Sequence, residues 1–197
     1  MPPLDAPKSC DEAVVILAGG QARRFAQKLE QAIDGVPLVV RVYRNLRGYR
    51  PTYICARRSF PVDIDAQLDC PMIVDDAPGR GPLVGMITAF HALPHRLVYA
   101  VAADMPLVDA QLLTELSAGM RDGDEAVIPE HDGRIEPLPA LYDRRAFLRH
   151  ARSARDGSII AVIAALRARR LPMSGERFLN INTSEDLARA GKPVGRP

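Results

Sequence analysis

Long apolar runs are missing from these 197 residues. None approaches the roughly 18 residues that would span a bilayer, and Met1 to Lys8 carries no apolar stretch of signal-peptide length. The expectation is a cytoplasmic chain with no membrane association. An excess of charge of one sign is missing too, since 26 basic side chains face 24 acidic ones for a net charge of +2. A balance that close gives no long-range field of the kind a nucleic-acid or membrane-surface binder presents, so any anionic ligand has to be met by local arrangement. Cysteine is scarce. Cys10, Cys55 and Cys70 are odd in number and too widely spaced for a two-plus-two zinc site or a redox pair, so they read as reduced thiols. The length fits one domain, expected over residues 13–190, between a loose N-terminal segment, 1–12, and a loose tail, 191–197, that offer little to bury.

What is present is a rhythm. Ala13 to Leu17 is short, apolar and β-branched, and it stops at Gly19-Gly20, as a strand buried on both faces does. Pro37 to Leu46 carries a helical stripe at Leu38, Val39, Val42, Tyr43 and Leu46. Residues 52–56 and 72–74 read as the second and third strands, 81–93 as a helix entered through Pro82, and 97–103 as the fourth and longest strand. Asp109 can cap a helix over 110–119. Strand and helix alternating on this spacing predict right-handed βαβ units and a mostly parallel sheet, an α/β fold. The second half differs. Ala126 to Pro129 and Ile135 to Tyr142 flank the turn His131-Asp132-Gly133-Arg134, which predicts an antiparallel pair or edge ribbon there. Helices are expected at 143–149, 158–169 and, capped by Ser184, 185–190.

In an open parallel sheet, ligands collect where strand C-termini release their loops. After the first strand, Leu17-Ala18-Gly19-Gly20 lets backbone approach a ligand closely while Arg24 and Lys28 supply positive charge, which suits a triphosphate. No Gly-Lys-Ser/Thr and no third glycine follows, so this is neither a Walker loop nor a dinucleotide fingerprint, and a plain surface turn is the competing reading. After the third strand, Asp75 to Gly85 brings Gly81, Pro82 and Leu83 to a helix N-terminus, where a stiff loop can frame a base or ribose or serve only as a connector. After the fourth, Asp104 is a lone carboxylate ending an apolar strand. Burial there is unfavourable without a cation, and magnesium favours one or two carboxylates plus phosphate oxygens, so Asp104 is the natural metal ligand. Asn180 and Asn182 share one face if 178–182 is extended, so both amides can reach the same crevice, although asparagine also simply starts turns.

Taken in this order, the segments resemble the molybdenum cofactor guanylyltransferase (MobA) family of Rossmann-like nucleotidyltransferases. The likeness is carried by Leu17 to Gly20 with Arg24 and Lys28, Gly35-Val36-Pro37-Leu38, Asp75 to Gly85, Asp104-Met105-Pro106 and Asn180 to Asp186. It implies a three-layer Rossmann-like nucleotidyltransferase fold, with GTP and Mg²⁺ bound in the first half and a molybdopterin-type acceptor beside Pro137 and Leu138. The implied reaction transfers GMP and releases pyrophosphate. By the same resemblance Lys28, Arg24 and Asp104 are catalytic, and Asp104 holds magnesium with Asn182 completing the metal site. Leu17, Ala18, Gly19, Gly20, Asp75, Gly81, Pro82 and Leu83 then line the nucleotide, and Asn180 and Asn182 stand with Pro137 and Leu138 on the acceptor side. A monomer with transient contacts to cofactor-delivery proteins is the expected company.

The chain also departs from the family pattern. Arg24-Phe25-Ala26-Gln27-Lys28 stands where Arg-Met-Gly-x-Asp-Lys is usual, Arg57 where asparagine is frequent, and Glu136 where the family has glutamine. Three readings follow: a GTP-dependent transferase, the same fold using CTP or another phosphorylated acceptor, and a non-catalytic nucleotide-binding adaptor. Gly19 leans toward guanine, because relatives that use CTP tend to carry alanine there.

Overall fold

Ala13 to Leu17, apolar and largely β-branched, form the body of β1 (Glu12–Leu17), and all five are buried. The computed structural model describes residues 11–19, 28–76, 81–153 and 158–190. After β1, a short ribbon of β2 (Ala32–Ile33) and β3 (Val36–Pro37) turns at Asp34 and Gly35, both at positive φ. Then come α1 (Leu38–Leu46), β4 (Thr52–Ala56), α2 (Val62–Asp65), β5 (Met72–Val74), α3 (Pro82–Ala92) and β6 (Leu97–Ala102). The second half runs α4 (Ala110–Gly119), β7 (Ala126–His131), β8 (Arg134–Ile135), β9 (Ala140–Asp143), α5 (Arg144–Ala151) and α6 (Ile159–Ala165). It ends with β10 (Ala168–Pro172), a 3₁₀ turn over Gly175–Phe178 and α7 (Ser184–Ala190).

The large sheet has the order β10-β7-β9-β6-β1-β4-β5, with β8 attached to β7. β1 lies between β4 and β6 and is parallel to both, with Ile16 opposite Ile54 and Val101. Its side chains alternate between two cores. Val14 and Ile16 join a cluster containing Leu38, Val42, Leu46, Leu112 and Leu116 from α1 and α4, whereas Ala13, Val15 and Leu17 join one containing Met86, Phe90, Phe147 and Ile163 from α3, α5 and α6. Helices therefore cover both faces, the three-layer arrangement that permits continuous apolar strands.

Within the large sheet the antiparallel strands fall in the second half, where the turn chemistry predicts them. Asp132 and Gly133 have φ of 47° and 72°, the double positive-φ geometry of a tight hairpin, and set His131 opposite Arg134. β9 is an interior strand, antiparallel to β6 on one side and to β7 on the other. Three local expectations change. Residues 135–142 do not form one strand, because Pro137 and Pro139 cannot donate to a ladder and the chain breaks there between β8 and β9. The helix expected over 158–169 ends at Ala165, and β10 follows, parallel to β7. The last helix is capped by Thr183 instead of Ser184: the Thr183 hydroxyl accepts from Asp186 N at 3.2 Å and the Asp186 carboxylate accepts from Thr183 N at 2.9 Å, a reciprocal capping box.

At the N-terminal end of β1, Glu12 accepts hydrogen bonds from Arg50 Nε at 2.8 Å, Tyr99 Oη at 3.1 Å and Ser117 Oγ at 2.8 Å. Burial alone would raise its pKa, but the bonds from Arg50, Ser117 and Tyr99 outweigh it and hold the carboxyl below its usual 4.5. A depressed folded-state pKa adds stability that is present above the unfolded value and lost as pH falls through the folded one. Glu12→Gln is therefore expected to melt lower than the wild type at pH 7, by about 3 °C per kcal/mol lost. The gap should start to narrow as pH falls below about 4.5 and close only below the depressed folded value, and a gap independent of pH would assign the loss to packing.

Candidate active site

Four strand ends meet on one rim. Ala18 N donates to Cys55 O, Ala103 N to Leu17 O and Asp75 N to Ala56 O, at 2.8, 3.1 and 2.8 Å, so the ladders continue one step beyond β1, β6 and β5 and hold the first loop residues in register. On this rim Lys28 Nζ donates to Asp104 Oδ2 at 2.7 Å and to Asn182 Oδ1 at 3.0 Å. These three residues are separated by 76 and 154 positions along the chain when counted from Lys28. The segment bearing Asn182 is anchored by Ile181 N, which donates to the Asp104 carbonyl at 2.9 Å, and by the buried side chain of Ile181. Asp104 is 8% exposed, and its desolvation is offset by the ammonium.

A second carboxylate lies beside the first loop. Asp75 is 4% exposed; its Oδ1 accepts from Thr88 Oγ1 at 2.9 Å, and its Oδ2 is 3.8 Å from Arg57 Nε. A β-carbon on Gly19 or Gly85 would sit 3.5 or 3.8 Å from the same Oδ2, so both glycines bring bare backbone alongside the carboxylate. Gly81, at φ 90°, precedes α3, and Pro82 is its first residue, leaving the first amides of that helix without an intrahelical partner. Leu17 and Leu83 are core residues, so only their backbone is available to a ligand. Gly20 and Arg24 lie outside the described residues.

On the other side of Asp104, Pro137 O accepts from Tyr142 Oη at 2.7 Å, and Leu138, half-buried, leads into a cis peptide before Pro139. Glu136 Oε1 is partnered by His131 Nε2 at 2.8 Å, so the carboxylate next to Pro137 does not stand alone. The His131 ring stacks on Phe178 at 5.4 Å and lies against Gly175, linking the 136–139 loop to the segment that ends in Asn182. Asn180 and Asn182 take different partners. The Asn180 amide turns back to the Phe178 carbonyl at 3.3 Å, and it is Asn182 that reaches Lys28.

Two contributors were not singled out from sequence. Thr88 could have been found only as the residue one helical turn beyond Gly85, on the same face of α3. His131 is hidden in a hairpin whose turn residues dominate its local signal. Cys55 and Cys70 are free, as the spacing predicts, whereas Cys10 lies outside the described residues. Burial, with the negative charge of Asp75 adding to it, pushes the Cys55 thiol up to about 12, and burial with Asp69 and Asp65 pushes Cys70 up to about 11, so both are held in the unreactive protonated form.

Residues 14–171 match the family model of the MobA-like NTP transferase domain. The chain belongs to that family. Among curated MobA-like relatives, the molybdenum cofactor guanylyltransferase of Desulfosudis oleivorans is 28% identical over 188 residues, covering 89% of this chain and 92% of that protein. The probable molybdenum cofactor guanylyltransferase of Natronomonas pharaonis is 31% identical over 192 residues, covering 89% and 95%. The crystal structure of molybdopterin-guanine dinucleotide biosynthesis protein A from Archaeoglobus fulgidus superposes with a TM-score of 0.74 at 28% identity, covering 91% of this chain and 96% of that one. A 4-diphosphocytidyl-2C-methyl-D-erythritol synthase from Anaerococcus prevotii, at 14% identity and a TM-score of 0.71, shares the fold. This MobA-like chain is thus an enzyme, a nucleotidyltransferase with a three-layer Rossmann-like fold. No described helix is long and apolar enough to cross a membrane.

Proposed function

We propose that this protein transfers GMP from GTP to a molybdopterin-type acceptor and releases pyrophosphate. The observation that carries the reading is the meeting of Lys28, Asp104 and Asn182 beside the Gly19 loop. The acceptor's phosphate oxygen forms a bond to the α-phosphorus as the bond from that phosphorus to the β-phosphate bridge breaks, and pyrophosphate carries the electron pair away. Such a reaction needs no protein nucleophile; it needs positioning and compensation of charge on the phosphoryl oxygens. Lys28 supplies a cation held in place by two partners, and Arg24 is proposed to add a second. Gly19 and the amides that open α3 present backbone to the nucleotide, while Pro137, Leu138 and Asn180 are assigned to the acceptor side.

The donor set suits magnesium. Asp104 offers a carboxylate oxygen and Asn182 an amide oxygen, both hard ligands, and both already converge on one cation, the Lys28 ammonium. Magnesium takes one or two protein ligands and completes its shell from phosphates and water, so these two oxygens suffice in number. Bound there, magnesium would neutralise phosphate charge and orient the triphosphate.

Calorimetric titration with GTP, CTP and ATP in the presence of Mg²⁺ tests the nucleotide, and pyrophosphate release with molybdopterin tests the transfer. GTP is expected to bind at least about tenfold more tightly than CTP, a difference of about 1.4 kcal/mol. Tighter CTP binding removes the guanine assignment. Tight GTP binding without pyrophosphate release favours a nucleotide-binding adaptor.

A further inference from the structure

Asp75 is held from behind by Thr88 of α3. An ionised carboxylate only accepts hydrogen bonds, and its two oxygens are interchangeable until something fixes the plane. Here Thr88, on α3, spends its single hydroxyl proton on Oδ1 at 2.9 Å. Oδ2 is thereby turned to the side on which Gly19 and Gly85 carry no side chains, with the Arg57 guanidinium in a longer ion pair at 3.8 Å. The carboxylate is buried and, among the described residues, its Oδ2 accepts no hydrogen bond shorter than the 3.8 Å ion pair, so an incoming group that donates to it is favoured over one that presents an acceptor there, and such differences discriminate strongly. Guanine presents two adjacent donors, N1–H and the 2-amino group; adenine and cytosine present a donor next to an acceptor.

We propose that Thr88 is a specificity-determining positioning residue, aiming the Asp75 carboxylate at the donor edge of a guanine base. The proposal rests on the reading above in which GTP is the substrate. Thr88 acts through Asp75 and stays out of contact with the reacting phosphates, so its removal acts on nucleobase choice more than on turnover.

The test compares GTP with ITP, which lacks the 2-amino group, by calorimetric Kd and by steady-state kinetics, in the wild type and in Thr88→Val, Thr88→Ser and Thr88→Ala. Thr88→Val, equal in shape but without the hydroxyl, is expected to weaken GTP binding about tenfold. It should also narrow the preference for GTP over ITP about fivefold and leave kcat at saturating GTP within about twofold of wild type. Thr88→Ser should restore both affinity and preference. In an Asp75→Ala background, which removes the acceptor of the Thr88 hydroxyl, Thr88→Val should cause no further change, because positioning through a partner vanishes with the partner. Thermal melts accompany each variant, and Thr88→Ala repeats the comparison if valine disturbs folding. A Thr88→Val protein with wild-type GTP affinity and an unchanged GTP-to-ITP ratio overturns the assignment while leaving the nucleotide assignment standing. A wild-type protein that binds no GTP overturns both.

Discussion

Asp104→Asn is expected to lower nucleotidyl transfer by at least about 10³-fold at saturating nucleotide and magnesium, the scale seen when a charge-stabilising group is removed from a water-poor site. The substitution keeps size and hydrogen-bonding shape, so the fold should survive: the backbone carbonyl of residue 104 still receives Ile181 N, and Lys28 keeps the Asn182 oxygen. What disappears is the negative charge against which a divalent ion would be held. Pyrophosphate release measured across a magnesium titration, with a melt to confirm folding, checks this. A shift to higher magnesium demand with little change in maximal rate would mean that Asp104 contributes affinity alone, and unchanged turnover would remove it as the metal ligand.

Lys28→Ala is expected to lower kcat about 10²-fold or more while changing GTP affinity less than about tenfold, if the ammonium acts chiefly where charge builds up on the phosphoryl group. Equal losses in both would reduce Lys28 to simple attraction. The same substitution carries a stability signature. It strips the cation from a carboxylate that is only 8% exposed, which costs about 1–3 kcal/mol when a buried charged acceptor loses its partner. The Lys28→Ala/Asp104→Asn double variant should therefore melt higher than Lys28→Ala alone, because removing the stranded charge relieves the penalty.

The parallel half of the fold was readable in the chain because strands buried on both faces write themselves as uninterrupted apolar runs. The expected ranges 52–56 and 72–74 coincide with β4 and β5 for that reason. β10 could not be read the same way. Its Arg169 and Arg170 are held by Asp124 at 2.7 Å and Glu130 at 3.5 Å, partners more than thirty positions away, and the apolar residues before them continue a helical pattern that only this distant pairing interrupts. In the site, Asp104 was singled out as a solitary carboxylate ending an apolar strand and Lys28 as positive charge after the glycine loop, but their direct pairing at 2.7 Å was not foreseen. The fates of Asn180 and Asn182 were not, since spacing places two amides on one face but cannot say that the first will bond to the carbonyl of Phe178. Thr88 carries no local signal, as its partner lies thirteen positions upstream on another element.

One strand of reversed direction has an effect out of proportion to its four residues. Because β9 opposes both β6 and β7, two inversions cancel, and β7 and β10 point the same way as β1 although they were added on the far side of it. Chain leaving β7 and β10, and chain entering β9, therefore surfaces where Asp104 does. Variation in the distal loops leaves undisturbed the strands that carry Gly19, Asp75 and Asp104, so, on the assignment proposed above, a change of acceptor would require no redesign of the half that holds those three residues.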